Sequence, residues 1–468
     1  MTEKPQLFGT DGIRGRAGEY PLDRRTLFHL GAAIANVLAR HRTGKPPRLL
    51  LGRDTRESSP WIAGTVAAGL ESAGACVINA GILTTPAVAF LVREHGWDAG
   101  VVVSASHNPY TDNGVKVLAS SGIKLSEDWE IEIEEELMRA GQLSVPTAEP
   151  DGDYDHHPAS RLAEELKGEY LRWLARLAPG TAALRRFRCV VDCANGAASE
   201  LAPKLLEQLG IEAHILHASP DGRNINQACG SVHPEEMARR TAREGADLGV
   251  AFDGDADRAI FAGRNGQVLN GDFVLYVSAL ERKRRDALPH NLVVGTLMTN
   301  LAVELALAQH GITLRRAAVG DKYVLEEMLR SGAELGGEPS GHIIFASLAR
   351  GGDGFVTFLE VLRLVTESGK PLEELAAGLH LFPQIIRNVR VAEKPPLESL
   401  EELHRAIADC RRQIGARGRV VVRYSGTEPF ARVMVEAEDA NLVEHHAGCI
   451  AQAIEASLGV QRTGREQN

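Results

Sequence analysis

The chain has 468 residues, of which 44% are hydrophobic and 24% are charged, and its formal net charge is −10. This length predicts roughly three domains at about 150 residues each, and the dispersed acidic excess argues against the basic face that a nucleic-acid-binding protein needs. No apolar run reaches the length of about 18 residues that a membrane span requires, and the N-terminus lacks the pattern of a secretion signal. We therefore expect a cytoplasmic protein with no nucleic-acid or membrane partner, whose six scattered cysteines are buried and reduced.

Short β-rich runs alternate with longer helical patterns in three successive rounds. The first round predicts strands over 49–51, 76–79 and 99–103 and helices over 60–72 and 86–94. The second predicts strands over 189–192, 214–216 and 248–252 and helices over 199–209 and 234–244. The third begins near Ala259 and predicts strands over 292–295 and 312–316 and a helix over 300–310. Strands that alternate with helices indicate parallel or mixed sheets covered by helices, and hence α/β domains.

The pattern changes near residues 369–371. Beyond it, the sequence predicts a separate C-terminal α+β domain with strands over 384–391 and 419–423 and helices over 400–413 and 442–458. The segment 144–158 is rich in Pro, Asp and Gly and is interpreted as a linker, and a short polar tail follows residue 461.

A polar loop follows the apolar strand at 99–103. This serine loop (104–116) has the sequence S-A-S-H-N-P-Y-T-D-N-G-V-K. Ser104 and Ser106 are both candidate nucleophiles, and ligands of open α/β sheets collect at the carboxyl ends of strands. His107 and Lys116 are the titratable groups nearby. A polar βα turn without function would have a similar composition, whereas a hydrolase triad is disfavoured because the G-x-S-x-G elbow is absent.

The aspartate loop (253–258) has the sequence D-G-D-A-D-R and follows the predicted strand at 248–252. Its carboxylates at alternate positions, Asp253, Asp255 and Asp257, repel one another unless a cation neutralises them, and ligands that are all oxygen favour Mg²⁺. An EF-hand loop is excluded because its sixth position would be Arg258 where glycine is needed. A solvated acidic turn is the alternative.

The arginine loop (423–429) has the sequence R-Y-S-G-T-E-P. Small residues after a strand allow backbone N–H groups to converge on an anion, and the hydroxyls of Ser425 and Thr427 add donors. Arg423 and Arg432 would supply the positive charge, since a guanidinium matches the geometry of a phosphate. An ordinary hairpin or βα turn is the alternative interpretation.

Two glycine-rich loops carry further polar groups. The N-terminal loop (8–15), F-G-T-D-G-I-R-G, offers Arg14. The glutamate loop (336–342), G-G-E-P-S-G-H, offers Glu338, Ser340 and His342, which suit the recognition of sugar hydroxyls. Each loop by itself is equally typical of a plain glycine turn.

Together, and in their order along the chain, the five loops resemble the signature loops of the α-D-phosphohexomutase family. The resemblance extends from residue 8 to about residue 435, and the segment S-P-D-G-R-N-I-N-Q-A-C-G-S-V-H-P-E at 219–235 resembles the branch that acts on glucosamine phosphates. Pro339 and Tyr424 depart from the Gln and Pro that are usual in that branch. The implied fold has three related α/β domains with mixed sheets and a smaller C-terminal α+β domain around a central cleft. The corresponding domain bounds are 1–154, 155–257, 258–373 and 374–468.

The resemblance implies a role for each loop. It makes Ser106 the phosphoserine, and it makes the Mg²⁺ ligands the phosphate on Ser106 together with Asp253, Asp255 and Asp257. The groups that it places around the transferred phosphoryl group are Arg14, His107, Lys116 and Arg258, of which Lys116 and Arg14 are the implied proton handlers. The implied sugar-binding residues are Glu338, Ser340 and His342. The residues implied to bind the phosphate that is not transferred are Arg423, Ser425, Gly426 and Thr427.

The implied reaction interconverts glucosamine 6-phosphate and glucosamine 1-phosphate and feeds the synthesis of amino-sugar nucleotides for cell-wall precursors. The phosphoryl group on Ser106 passes to O1 of the sugar, and the 6-phosphoryl of the resulting 1,6-bisphosphate returns to Ser106. The implied cofactors are one Mg²⁺ per chain and a hexose 1,6-bisphosphate, the implied partner is a phosphosugar, and a homodimer is allowed. Two alternatives stay open: a phosphomannomutase or phosphoglucomutase of the same family, and a protein that binds a phosphosugar without catalysis.

Overall fold

The computed structural model describes residues 7–41, 45–142, 159–180, 184–425 and 429–459. They form two compact units, Met1–Met298 with Ile312–Ala377, and Thr299–Gly311 with Gly378–Asn468. The segment predicted as a linker, 144–158, and the polar tail after residue 461 lie outside the described residues. Within the described ranges, no helix combines the length and the apolar character that a membrane crossing requires.

The first sheet of the first unit has the strand order β1-β5-β4-β2-β3. Its strands are β1 (Ile13–Arg16), β2 (Arg48–Arg53), β3 (Cys76–Ile82), β4 (Ala99–Val103) and β5 (Asp112–Ala119). The helices of this region are α1 (Arg24–Arg40), α2 (Ser59–Ser72), α3 (Thr85–His95) and α4 (Glu127–Gln142). β2 is parallel to β3 and β4, whereas β5 is antiparallel to β4 and β1. Every residue of β4 is buried, which is typical of a strand covered on both faces.

The second sheet has the strand order β10-β9-β8-β6-β7. Its strands are β6 (Arg188–Asp192), β7 (Glu212–Leu216), β8 (Leu248–Phe252), β9 (Ala259–Ala262) and β10 (Val268–Leu269), and its helices are α5 (Ala163–Leu177), α6 (Ala198–Leu209) and α7 (Glu235–Glu244). β9 pairs antiparallel with β8. The domain boundary predicted after Asp257, and the third round predicted to begin near Ala259, therefore fall inside this sheet, because a hairpin carries the chain back along β8.

The third sheet has the strand order β12-β11-β13-β14. Its strands are β11 (Leu292–Thr296), β12 (Thr313–Ala317), β13 (Leu335–Gly337) and β14 (Ile343–Phe345). The helices are α8 (Gly271–Arg284), α10 (Asp321–Ser331), α11 (Gly354–Ser368) and α12 (Leu372–Leu375), and a short 3₁₀ helix spans Pro289–Asn291. β11 is parallel to β12 and β13, and β14 is antiparallel to β13.

One four-strand arrangement recurs in all three sheets. In each of the sets β2–β5, β6–β9 and β11–β14, the first strand is parallel to the second and to the third, and the fourth turns back antiparallel beside the third. The repeat predicted from the alternation of strands and helices is thus present as a common topology. The three α/β domains with mixed sheets are confirmed.

The second unit is an α+β structure with its own core. Three antiparallel strands in the order β15-β17-β16 form its sheet: β15 (Gln384–Arg390), β16 (Gly418–Tyr424) and β17 (Phe430–Ala437). Its helices are α9 (Leu301–Gln309), α13 (Glu401–Ile414) and α14 (Ala440–Leu458), and 3₁₀ helices span Leu397–Ser399 and Gly415–Arg417. Leu403, Val433 and Ile450 are buried in the core. The predicted C-terminal α+β domain is confirmed.

Local chemistry explains where helices of this fold begin and end. The Thr84 hydroxyl caps α3 by accepting from the Ala87 amide, and Pro86 lies in the first turn, where no N–H is needed. Gly96 ends α3 in the left-handed conformation. The Asp353 carboxylate caps α11 by accepting from two backbone amides.

The predicted strands at 99–103 and 248–252 are confirmed to the residue, and the other predicted elements differ from the observed ones by at most three residues at an end. The elements that the sequence interpretation missed include α1, α5 and the returning strands β5, β9 and β14. β5 begins with Asp, Asn and Gly, which are typical of turns. The prediction that all cysteines are buried is wrong for Cys76, which is exposed, and for Cys449, which is half-buried.

Candidate active site

Three of the polar loops occupy equivalent positions in their sheets. The serine loop leads from β4 into β5, the aspartate loop joins β8 to β9, and the glutamate loop joins β13 to β14. Each is therefore the connection between the third and fourth strands of the repeated arrangement. The contacts described below show that these loops share one cluster of buried charge.

Ser106 lies at the centre of this cluster and is fully buried. Its hydroxyl donates to Asp253 Oδ2 at 2.5 Å, across a separation of 147 residues in the chain. Its backbone φ of 51° lies in the left-handed region, which few residues other than glycine adopt. Its amide donates to the hydroxyl of Ser104 at 2.9 Å, so Ser104 supports the loop and Ser106 faces the carboxylates.

The three carboxylates of the aspartate loop converge. One oxygen from each of Asp253, Asp255 and Asp257 lies within 4.8 Å of the others, and all three residues are buried. Burial and the charges of the other two carboxylates raise the pKa of Asp253 well above its ordinary value. Burial opposes ionisation of Asp257 as well, but the His342 hydrogen bond and the charge of Lys116 lower its pKa. Within the triad, Asp253 thus favours its protonated form and Asp257 favours its ionised form.

Lys116, on β5, is the buried cation of the site. Its Nζ lies 2.9 Å from Asp11 Oδ1 and 3.0 Å from Asp255 Oδ2. Burial opposes its charge, but Asp11, Asp255 and Asp257 outweigh burial and raise its pKa. Arg14, on β1, forms an ion pair with Asp11 as well. Lys116 is therefore an ammonium group in this arrangement, which holds its proton firmly and is suited to donating hydrogen bonds.

His107 and Arg258 are neighbours of the same hydroxyl and carboxylates. His107 Nδ1 lies 3.3 Å from Ser106 Oγ. Burial and the charges of Arg258 and Arg14 lower the pKa of His107 to about 4, so its ring is neutral at neutral pH. The Arg258 amide donates to Asp253 Oδ1 at 3.2 Å, and its Nε lies 3.7 Å from Asp257 Oδ1.

The glutamate loop contributes the other side of the cluster. His342 Nδ1 lies 3.6 Å from Asp257 Oδ2, and Nε2 accepts from the Gly352 amide at 3.1 Å, so the ring proton is on Nδ1. Burial lowers the pKa of His342, but Asp257 and its neighbouring carboxylates outweigh burial and raise this pKa to about 9. A second proton would go to Nε2 and would break the hydrogen bond from the Gly352 amide. Glu338 accepts from the Gly320 amide at 3.1 Å. The Ser340 hydroxyl is buried and bonds to no described residue.

The sequence interpretation missed a buried ion pair beneath the serine loop. Arg56 is fully buried and pairs with Asp54, which also accepts from the hydroxyls of Ser59 and Ser104. The Arg56 guanidinium donates to the carbonyl oxygens of Ser106 at 3.1 Å and Asn108 at 2.7 Å. The only sequence feature that could have drawn attention to the pair is its position directly after the apolar strand at 49–51.

Three further residues that support the site were also missed. Asn226 Nδ2 donates to the carbonyl oxygens of Ser106 at 2.9 Å and Asn108 at 3.1 Å. The Thr85 hydroxyl donates to Asp255 Oδ2 at 2.6 Å. Asp11 links Lys116 to Arg14 and lies in the N-terminal loop that had been singled out only for Arg14.

The predicted phosphate-binding residues lie in the second unit. Arg423 on β16 stands directly opposite Arg432 on β17. Burial and the charge of Arg432 lower the pKa of Arg423, and two guanidinium groups at one position of a sheet favour an anion. Ser425 is buried, and its amide donates to Phe430 O at 2.8 Å. Gly426 and Thr427 lie outside the described residues.

A cavity of about 440 Å³ opens beside the charged cluster in the first unit. Its lining includes Asp11, Lys116, Asp257, Asp321 and His342. A cavity of this size is typical of small-molecule sites, in which a few polar groups orient a ligand.

The carboxylate triad fits a divalent cation. Asp255 Oδ1 and Asp257 Oδ1 are buried and make no hydrogen bond within the described part of the chain. A cation held by Asp253, Asp255 and Asp257 would satisfy these oxygens and relieve the repulsion that raises the pKa of Asp253. The donors are all oxygen, which favours a hard ion over a thiophilic one.

Profiles of the Phosphoglucomutase/phosphomannomutase family match the chain in four segments. The alpha/beta/alpha domain I matches residues 5–143, domain II 169–266, domain III 270–382 and the C-terminal domain 387–453. A phosphoglucosamine mutase of Koribacter versatilis is 49% identical to the chain over 471 residues, which is 98% of this chain and 99% of its own length.

Solved structures share the fold. A phosphoglucomutase/phosphomannomutase family protein from Burkholderia thailandensis superposes with a TM-score of 0.76 at 23% identity, covering 98% of each chain. The N-acetylphosphoglucosamine mutase of Aspergillus fumigatus, solved in complex with GlcNAc-6P and magnesium, superposes with a TM-score of 0.62 at 18% identity and covers 97% of this chain and 96% of its own.

Proposed function

This chain belongs to the phosphoglucomutase/phosphomannomutase family, and we propose that it is a phosphoglucosamine mutase that interconverts glucosamine 6-phosphate and glucosamine 1-phosphate. The full-length identity of 49% to a phosphoglucosamine mutase supports this assignment of an isomerase. The observation that carries the chemical part of the proposal is the contact of 2.5 Å between the Ser106 hydroxyl and Asp253. A nucleophile beside a carboxylate triad is what phosphoryl transfer needs and what simple binding does not.

The proposed reaction has two transfers. In the first, the bond between phosphorus and Ser106 Oγ breaks and a bond from phosphorus to O1 of glucosamine 6-phosphate forms. The O1 proton is released to a group of the site, and Ser106 Oγ gains a proton. The resulting 1,6-bisphosphate turns around, and its 6-phosphoryl group passes back to Ser106 Oγ, which releases that proton to the site. Glucosamine 1-phosphate leaves with a proton on O6, and the enzyme is again phosphorylated.

The proposed roles of the surrounding residues follow from their charge and position. Asp253, Asp255 and Asp257 would hold Mg²⁺, which neutralises charge on phosphoryl oxygens when bound. Arg258 and Arg14 are placed to balance the negative charge that develops on the transferred group. His107 is neutral at neutral pH and lies 3.3 Å from Ser106 Oγ, so it can form a hydrogen bond with that oxygen. Lys116 is charged and suited to donate hydrogen bonds to phosphoryl oxygens.

The sugar and its distal phosphate are assigned to separate loops. We assign Glu338, Ser340 and His342 to the sugar hydroxyls, because they present a carboxylate, an unbonded buried hydroxyl and an imidazole. We assign the phosphate that is not transferred to Arg423, Ser425, Gly426 and Thr427. A hexose 1,6-bisphosphate is the proposed intermediate and activator. The cytoplasmic location and a homodimer stay predictions.

Replacing Ser106 by Ala tests the relay. We expect mutase activity to fall by orders of magnitude, because the variant has no oxygen to carry the phosphoryl group. Intact-mass measurement should show one added phosphoryl group on the wild type and none on the variant. Replacing Ser340 by Ala is the matched control, since it should alter sugar binding and leave the added phosphoryl mass in place. Near-full activity of Ser106→Ala would end the proposal.

A comparison of three substrates separates this proposal from its alternative. Phosphomannomutase or phosphoglucomutase activity would use the same serine and the same carboxylates, so only the sugar distinguishes them. Rates with the 6-phosphates of glucosamine, glucose and mannose should be measured side by side. We expect the highest kcat/KM for glucosamine 6-phosphate, and a preference for either of the other sugars would overturn the substrate assignment while leaving the phosphoserine chemistry intact.

A further inference from the structure

A second cluster of metal-ligating side chains lies at the end of the second sheet. Asp192 ends β6, His217 directly follows β7, and Cys229 lies in the loop before α7. One ligand atom from each lies within 4.8 Å of the others. Asp192 and Cys229 are fully buried, and the His217 side chain is 26% exposed, which leaves a path for an ion to enter. The cluster is separate from the carboxylate triad.

The ring of His217 lies against a fixed carboxylate. Its Nδ1 is buried and lies 3.0 Å from Asp192 Oδ2, and this carboxylate raises the pKa of His217. The Asp192 carboxylate is itself held in place, because its two oxygens accept from the amides of Ala194 and Gly230. The site therefore has a fixed carboxylate beside an imidazole nitrogen, and a metal ion could replace the proton between them.

A further carboxylate stands behind the imidazole. Glu236, in the first turn of α7, places Oε2 at 3.7 Å from His217 Nε2. Metal-bound histidines commonly direct the ring nitrogen that does not bind the metal toward a carboxylate, which fixes the orientation of the ring. Glu236 would have this positioning role.

We propose that Asp192, His217 and Cys229 form a second metal site, selective for Zn²⁺. Thiolate, imidazole and carboxylate are the three ligand types of zinc, whereas the all-oxygen triad at Ser106 favours Mg²⁺. On binding, the Cys229 thiol loses its proton, and the charges of the thiolate and the carboxylate balance that of the ion. Three protein ligands leave a fourth position for water.

The site would stiffen a loop that supports the serine. The loop that carries Cys229 also carries Asn226, whose Nδ2 donates to the carbonyl oxygens of Ser106 and Asn108. Zinc would tie this loop to the ends of β6 and β7. Its expected effect is thus on the stability of the second sheet and on the position of Asn226, and the ion takes no part in phosphoryl transfer.

Cobalt provides the direct test, because Co²⁺ occupies zinc sites and a bond between sulfur and cobalt absorbs in the near ultraviolet. The full-length protein is stripped with chelator, saturated with Mg²⁺ to fill the triad, and titrated with Co²⁺. We expect one equivalent of Co²⁺ to bind with this absorption, and one equivalent of Zn²⁺ to abolish it. Replacing Glu236 by Gln should weaken Co²⁺ binding by about 10–100-fold.

Four variants locate the ion. Cys229→Ser and His217→Asn should abolish the absorption. His217→Asn is the safer of the two for folding, because His217 has a φ of 48° and asparagine tolerates that conformation. Cys449→Ser is the matched control, since Cys449 Sγ lies 3.7 Å from His445 Nε2 on the surface and is a competing thiol and imidazole pair. Asp255→Asn removes a triad ligand and should leave the absorption unchanged.

The outcomes are decisive in each direction. Loss of the absorption in His217→Asn, with a folded protein by circular dichroism, supports the site even where Cys229→Ser does not fold. Absorption that survives Cys229→Ser, that is lost in Cys449→Ser, or that never develops in the wild type overturns the proposal. Zn²⁺ should also raise the unfolding temperature of the wild type and not that of His217→Asn, and an equal rise in both would count against it.

Discussion

The carbonyl oxygen of Ser106 is held by three groups that are distant in the chain. It accepts from Arg56 at 3.1 Å and from Asn226 at 2.9 Å, and it lies against the backbone of Gly254. Because these contacts hold the loop in the left-handed conformation at Ser106, they determine where the hydroxyl points. The orientation of the proposed nucleophile therefore depends on residues that carry no chemistry of their own.

Replacing Gly254 by Ala should lower the activity strongly without unfolding the protein. A Cβ at this position would lie 2.4 Å from Ser106 O, so the serine loop and the aspartate loop would have to separate. We expect a fall in kcat of at least about tenfold, corresponding to about 1.4 kcal/mol in the barrier. Gly448→Ala in α14 is the control, since a Cβ there meets nothing within 4 Å. Unchanged kcat in Gly254→Ala would contradict the importance of this contact.

Replacing Arg56 by Met should destabilise the protein by about 3–5 kcal/mol, because it leaves the fully buried Asp54 carboxylate without its cation. Urea denaturation measures this as a lower midpoint at constant slope. The exposed Arg284 also pairs with a carboxylate, Glu281, and Arg284→Met should leave the midpoint unchanged. Equal effects of the two substitutions would show that burial of the Arg56 pair does not matter.

At the scale of elements, the connection between the third and fourth strands carries site residues in each of the three sheets. The segment between the third and fourth strands bears Ser106 in the first sheet, the carboxylate triad in the second and Glu338 in the third. Antiparallel strands can be joined by a short connection, whereas parallel strands need a crossover of a dozen or more residues. Equivalent loops can thus diverge in chemistry while the sheets keep one topology.

A buried hydrogen bond links helix α5 to the N-terminus of helix α11. The Tyr170 hydroxyl donates to Asp353 Oδ2 at 2.8 Å, and Asp353 is the residue that caps α11. Burial raises the pKa of Asp353 to about 6, and the Tyr170 hydrogen bond opposes this rise. Tyr170 therefore stabilises the ionised form of Asp353.

Replacing Tyr170 by Phe should cost about 1–3 kcal/mol near neutral pH, because an ionised buried oxygen loses its donor. The pKa of Asp353 is higher in the folded chain than in the unfolded one, so its ionisation lowers stability as the pH rises through about 6. Without Tyr170 this loss should grow, and the difference between variant and wild type should be larger at about pH 8 than at about pH 5. Urea midpoints at both pH values measure it, with the exposed Tyr20→Phe as control. A difference that is independent of pH would contradict the assignment.

At the scale of the whole molecule, the net charge of −10 opposes the approach of an anionic sugar phosphate. The local cations Lys116, Arg14 and Arg258 compensate within the site, but four carboxylates stand among them, the half-buried Asp11 and the buried triad. A divalent cation would reduce this excess of negative charge. The stability of the chain should therefore be linked to the metal.

Mg²⁺ should raise the unfolding temperature in a saturable way, because the native triad binds it and the unfolded chain does not. The gain in the free energy of unfolding is about 2.7 kcal/mol at a hundredfold excess over the dissociation constant. Asp255→Asn should flatten this dependence, whereas Asp286→Asn, a change at an exposed residue, should retain it. An unfolding temperature that is the same in EDTA and in excess Mg²⁺ would remove the triad as a metal site.

The amino-acid sequence by itself determined the class of fold, the positions of about half of the strands and helices, and the residues of the five loops. These features depend on local periodicity and on short motifs, which one segment of chain displays without reference to another. The strands at 99–103 and 248–252 were predicted to the residue for this reason. The family followed from the loops in their order.

Only the tertiary structure decided which of these residues meet. The contacts of Arg56 and Asn226 with Ser106 have no motif, since they span 50 and 120 residues of the chain, and the cluster of Asp192, His217 and Cys229 is likewise drawn from three separate segments. The returning strands β5, β9 and β14 likewise depend on pairing with a neighbour, which turn-like residues at their starts conceal. The periodicity of a segment predicts which of its residues are buried. Contacts between distant side chains form only when the sheets and helices pack together and buried polar groups find hydrogen-bond partners.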